Sequence, residues 1–256
     1  MAKTDRTRRK SKGPDGRVIS IAQQKGGTGK TTLTVHLATA ALERGKSVAL
    51  VDLDPQASLT EWYHTRMDQG EPIRGRQHDD GADETLILRQ CSSWRSAIEV
   101  DALKRDYDLV LLDNPPGAEA SSKIAIRGAD LLLIPVQLSP ADLWAMQATL
   151  DLATREDTDV LLVCNRVPPR SRLADEVLDK IRAQRLPVAK AQLGNRVAYA
   201  AALMVGQGIT EFARSSAAAH EIRSLDAELR RLLSPQRQKE SPGVGRFRFS
   251  ASEGHL

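Results

Sequence analysis

The stretch QQKGGTGKTT, Gln23 to Thr32, limits what this chain can fold into more than any other segment. It matches the pattern GxxxxGK[ST] except at the leading glycine, where Gln24 stands. In such a loop small residues let several backbone N–H groups converge on phosphates, a lysine neutralises β and γ oxygens, and a hydroxyl meets Mg²⁺. Gly26, Gly27, Thr28 and Gly29 supply the backbone, Lys30 the charge, Thr31 the metal hydroxyl and Thr32 a further donor. The loop needs a strand before it and a helix after it, so that the helix N-terminus faces the anion. It also holds a second lysine, Lys25, that phosphate binding alone does not require.

The flanking sequence meets that need. Residues 17–24, RVISIAQQ, are a short apolar run rich in β-branched residues, and residues 31–44 are helix formers that stop at Gly45. Further apolar runs at 47–54, 107–114, 130–137 and 159–165 read as buried parallel strands. Helical patterns fall between and after them, at 56–67, 94–105, 118–128, 140–154 and 172–185, and a last long helix is expected at 216–233. Residues 69–84 read as a surface loop. This alternation predicts a doubly wound α/β domain with a mostly parallel sheet flanked by helices. Residues 1–17 are expected to be a flexible basic arm, 18–233 the folded domain, and 234–256 a disordered tail.

Charge sharpens that division. The arm holds seven bases (Lys3, Arg6, Arg8, Arg9, Lys10, Lys12, Arg17) against Asp5 and Asp15, out of 37 basic and 33 acidic residues in all. The remainder is close to neutral. A basic arm of this kind either solubilises or touches a polyanion such as nucleic acid. No apolar run reaches the length of a membrane span, and no stretch resembles a signal peptide, so a cytosolic location is expected. Cys91 and Cys164 have neither disulfide nor metal-site spacing.

KGGTGKTT resembles the deviant Walker A motif of the ParA/MinD family of P-loop ATPases, and the resemblance extends over residues 18–230. It implies that Lys25 contacts the nucleotide of a partner subunit, in a homodimer that forms with ATP. VDLDPQAS (residues 51–58) resembles the family's next segment, which implies that Asp54 positions the attacking water and Asp52 supports the magnesium side. LVLLDNPPG (109–117) resembles Walker B, which gives Asp113 to Mg²⁺, and NRVPPRSR (165–172) implies adenine recognition by Asn165. The segment 193–212 is similar to small partition ATPases, whose ATP dimers bind DNA without sequence preference. Lys190, Arg196, Arg214, Arg223, Arg230 and Arg231 are the candidate DNA contacts. A ParB-like or other cargo adaptor that stimulates slow hydrolysis, a nucleoid-associated location and no membrane attachment complete the expectation. Two rivals remain open: a biosynthetic enzyme of cobyrinic-acid synthetase type, and an assembly or positioning ATPase that does not use DNA.

Overall fold

A computed structural model describes residues 16–69, 85–117 and 119–234. Most of the basic arm, most of the expected loop at 69–84 and nearly all of the expected tail lie outside the described residues.

The elements in chain order are β1 (Arg17–Ile21), α1 (Lys30–Glu43), β2 (Val48–Asp52), α2 (Ser58–Asp68), β3 (Leu86–Gln90), α3 (Ser93–Asp106), β4 (Leu109–Asp113) and α4 (Glu119–Arg127). They continue with β5 (Leu131–Val136), α5 (Pro140–Arg155), β6 (Val160–Cys164), α6 (Arg172–Ala183), α7 (Val197–Met204), α8 (Ile209–Phe212) and α9 (Ala217–Leu232). The six strands form one parallel sheet in the order β3-β2-β4-β1-β5-β6. Every strand therefore points its carboxyl end toward the same edge. β1 lies in the middle, so the loop that follows it emerges between the ends of β4 and β5.

Alternation along the strands sorts side chains onto two faces. Ile19, Ile21, Val48, Leu50, Leu111, Leu131 and Leu133 pack with α1, α8 and α9. On the opposite face Val18, Ala49, Val51, Val110 and Leu112 meet Val100 and Leu103 of α3, and Leu132, Ile134 and Leu162 meet α5 and α6. Eleven of the 14 residues of α1 are buried, so this helix is an interior element and not a surface one. Gly208 allows α8 to approach it closely, because a Cβ there would collide with Thr39.

Three expectations need correction. The strands expected at 17–24 and 47–54 end at Ile21 and Asp52, because the following residues leave the sheet to build loops. Arg17, counted with the arm, opens β1, and its guanidinium pairs with Asp130 at 3.2 Å. β3 was not foreseen: among the described residues it pairs only with β2, and its Arg89 and Gln90 are exposed, so half of its pattern is polar.

Two buried polar groups tie the C-terminal helices to the core. The Arg66 guanidinium donates to both Glu211 oxygens at 2.7 and 2.9 Å and to the Gly206 carbonyl at 3.0 Å, joining α2 to the turn between α7 and α8. His36 accepts at Nδ1 from the Ile209 N–H at 3.0 Å. Burial pulls the His36 pKa down to about 3, with the Tyr199 backbone opposing. A depressed histidine contributes stability that is complete above its unfolded value and is lost as pH falls toward the folded one. Urea unfolding at about pH 7.5 and pH 4.5 should therefore differ by roughly 2–3 kcal/mol from this residue, and His36→Gln should remove that difference. An unchanged slope in the variant would assign the acid sensitivity elsewhere.

Candidate functional site

The loop after β1 is shaped by left-handed backbone that only glycine adopts freely, with φ +74° at Gly27 and +94° at Gly29. Gly29 is the N-cap of α1, and no side chain caps that end. By contrast α5, α6 and α9 begin with Ser139, Ser171 and Ser216, each accepting from a first-turn N–H. The first turn of α1 also lacks an acid. Its N–H groups and dipole are thus left for an external anion.

Neighbouring loops brace this cradle. Gln137 Nε2 donates to the Gly27 carbonyl at 3.0 Å, and the Gly117 N–H donates to the Gln24 carbonyl at 3.0 Å. Gln24, in place of the usual glycine, thus uses its backbone to join the segment after β4 to the phosphate loop. Asn165 closes the floor: its Nδ2 donates to the Thr28 carbonyl at 2.7 Å, and its Oδ1 accepts from the Arg166 N–H at 2.9 Å. Both ends of that amide are used inside the protein. Asn165, expected to meet adenine, braces the phosphate loop through these two bonds.

Lys30 is 7% exposed. Burial pulls its pKa down, while the charges of Asp113 and Asp54 oppose. Thr31 Oγ1 donates to Asp113 Oδ2 at 2.6 Å. Asp113 is buried, and its other oxygen, Oδ1, has no hydrogen-bond partner among the described residues. Burial pushes this carboxyl up to about 7; the Thr31 hydroxyl and Lys30 oppose, and Asp52 and Asp54 add to the rise. A bare, buried carboxylate oxygen beside a threonine hydroxyl fits a Mg²⁺ ion that takes its other ligands from phosphate and water.

Asp52 is placed differently from expectation. Its Oδ1 accepts from the Asp54 N–H at 3.1 Å, and its Oδ2 accepts from the Thr60 N–H at 3.0 Å and the Thr60 hydroxyl at 2.7 Å. With both oxygens engaged, Asp52 shapes the loop that carries Asp54. Asp54 lies beyond the end of β2, on the loop that follows it. Its Oδ1 accepts from the Gln56 N–H at 3.0 Å.

Lys25 sits at the rim. Its Nζ donates to Asp142 Oδ2 at 2.8 Å, and its side chain remains 37% exposed. Asp142, in the first turn of α5, carried no signal in the sequence because its partner is 117 positions away.

The six candidate DNA contacts divide into two groups. Arg196 pairs with Glu221 at 2.6 Å, Arg223 with Glu43 at 2.8 Å and Arg230 with Asp226 at 3.3 Å. Lys190, Arg214 and Arg231 are exposed and make no ion pair among the described residues. The Lys190 N–H is held by Glu228, three residues before Arg231 on α9. Among the described residues no helix is long and apolar enough to cross a membrane.

Comparison with known proteins gives this arrangement a place. Chromosome-partitioning ATPase Soj of Thermus thermophilus is 32% identical over 83% of this chain and 95% of its own length. Maintenance of carboxysome distribution protein A of Halothiobacillus neapolitanus is 29% identical over 81% of this chain and 93% of its own length. Among solved structures, the ATP complex of Cyanothece McdA superposes with a TM-score of 0.68 at 19% identity, covering 86% of this chain and 97% of that one. Residues 19–209, most of the sheet and its phosphate loop, match the family described as the CobQ/CobB/MinD/ParA nucleotide binding domain, and the chain belongs to that family.

Proposed function

We propose that this protein is a slow ATPase that pairs with a second copy around ATP, binds DNA in that paired state and positions a cargo until an adaptor protein triggers hydrolysis. The observation that carries this reading is that one loop holds two lysines in opposite situations. Lys30 is buried with its charge set toward Asp113 and Asp54, whereas Lys25 stands half-exposed at the rim. A buried lysine serves its own subunit's phosphates. A rim lysine can turn outward to neutralise charge on a facing subunit, as an arginine finger does in trans.

The geometry supports a division of work. Backbone N–H groups of Gly26 to Thr32 and the start of α1 hold the triphosphate, and Lys30 offsets its charge. Thr31 and Asp113 would hold Mg²⁺, which supplies charge neutralisation on the phosphate oxygens. Asp54 orients the attacking water and accepts its proton, held at the required place by its bond to Gln56 and by Asp52. Asn165 fixes the loop floor. The segment after β4 is tied to the loop through Gly117 and Gln24, and so is placed to respond to the γ-phosphate.

For DNA, Lys190, Arg214 and Arg231 support the reading best, because their side chains are exposed and make no ion pair among the described residues. Two copies presenting them together would make weak phosphate contacts sufficient. Retention of random-sequence duplex DNA should require ATP, fail with ADP, coincide with a dimeric mass and weaken steeply with salt. Reversing the charge at Lys190, Arg214 and Arg231 together should weaken retention at least about tenfold with nucleotide binding intact. A protein that dimerises with ATP yet ignores DNA would keep the nucleotide chemistry and move the cargo function to another surface. It would also reopen the alternative of a biosynthetic enzyme of cobyrinic-acid synthetase type.

A further inference from the structure

The contact between Lys25 and Asp142 joins the phosphate loop to the first turn of α5. Asp142 is 1% exposed, an unusual setting for a carboxylate. Its Oδ2 receives both the Lys25 ammonium, at 2.8 Å, and the Ser139 hydroxyl. Its Oδ1 is buried and has no hydrogen-bond partner among the described residues. Lys25 is its one ion-pair partner among the described residues, and half of the carboxylate is not hydrogen-bonded at all. A buried acid in this state is costly to leave without its cation.

Lysine carries a single charged group on one flexible stem, so Lys25 cannot rest on Asp142 and reach into a facing subunit at the same time. The two positions exclude each other. We propose that Asp142 is a positioning residue that holds Lys25 within its own subunit until ATP is bound, so that their pair sets the threshold for ATP-driven pairing of two copies. The proposal rests on the reading of Lys25 as a lysine that acts in trans.

The arrangement makes the restraint selective for the triphosphate. Leaving Asp142 uncovers a buried charge, and only a strong anion on the facing subunit offsets that loss. In a two-fold symmetric pair each subunit gives up one such contact, so the restraint enters the dimerisation equilibrium twice. Ser139 steadies the acid in both positions: its hydroxyl oxygen accepts from the Asp142 N–H at 3.3 Å as the helix cap. The carboxylate therefore keeps its place while the lysine moves.

The test is a double-mutant cycle on the full chain, with mass photometry across a range of protein concentrations and a non-hydrolysable ATP analogue. Asp142→Asn keeps the size of the side chain and removes its charge. It should lower the concentration of half-dimerisation about tenfold or more, and the same substitution made on a Lys25→Gln background should produce no shift. An unchanged or raised half-point for Asp142→Asn overturns the proposal, as does an equal shift on both backgrounds, which would mark Asp142 as purely structural. Lys25→Gln alone dimerising like the parent would instead sink the trans role of the lysine. Independently of any variant, acylation of the nucleotide-free parent, read residue by residue by mass spectrometry, should modify Lys25 several-fold more slowly than Lys190. Equal rates would show that the ammonium is not held.

Discussion

Lys25→Ala is expected to bind ATP with little loss of affinity, to stay monomeric at concentrations where the parent pairs, and to lose ATP hydrolysis by about three orders of magnitude. The expectation follows from the separation of the two lysines. Lys30 lies within the influence of Asp113 and Asp54, close to the start of α1, and its environment is untouched by a change at the rim. Removing Lys25 deletes the charge offered to a facing subunit and leaves Asp142 without its cation, but touches no group at the phosphate end of the loop. The size of the effect is that of a transferred cation in phosphoryl transfer, where one group stabilises charge that grows in the transition state. Nucleotide affinity, oligomeric mass and turnover should be measured on the same preparation. Normal pairing by Lys25→Ala would leave the second lysine of the loop without a role.

Asp54→Ala should separate the same steps in the opposite order. Binding and pairing should persist, while turnover falls about 10²–10⁴-fold, so that a DNA-retained dimer accumulates. The residue is well suited to this test because it is outside β2 and carries no packing load; its visible duty is one hydrogen bond from the Gln56 N–H. Asp54→Asn retains that bond and should be equally inactive, which separates loss of the base from loss of the turn. Turnover close to the parent in both variants would transfer the water-positioning role to another group.

The loop, its strand and its helix were legible in the sequence because they are contiguous: Gln23 to Thr32 dictate both chemistry and local backbone. The interior strands were legible for a related reason, since a strand covered on both faces must be apolar at almost every position. β3 escaped because an edge strand with one neighbour can be polar in its second half, as Arg89 and Gln90 are. Its partner β2 lies on the far side of the segment at 70–84, so no hairpin spacing announces it. The contrast between Asp52 and Asp54 also escaped. The family resemblance placed both near phosphate, but whether a carboxylate faces a ligand or its own backbone depends on Thr60, eight residues on. Asn165 shows the same limit, because the Thr28 carbonyl that occupies its amide comes from a loop 137 residues earlier. Among the arginines, Arg196, Arg223 and Arg230 were indistinguishable from Arg214 and Arg231 until Glu221, Glu43 and Asp226 were placed beside them.

Because all six strands run the same way, the molecule has a working rim and a quiet one. Lys25, Asp54, Asp113, Asp142 and Asn165 all leave the sheet at the carboxyl ends of strands. The turns at the other rim, such as Arg44 to Ser47 between α1 and β2 and Glu156 to Asp159 between α5 and β6, carry none of these groups. A dye attached at Lys46, on the turn between α1 and β2, should leave ATP binding untouched, while Glu43 and Arg44 beside it pair with Arg223 and Asp226 of α9 and so bring it near the DNA candidates.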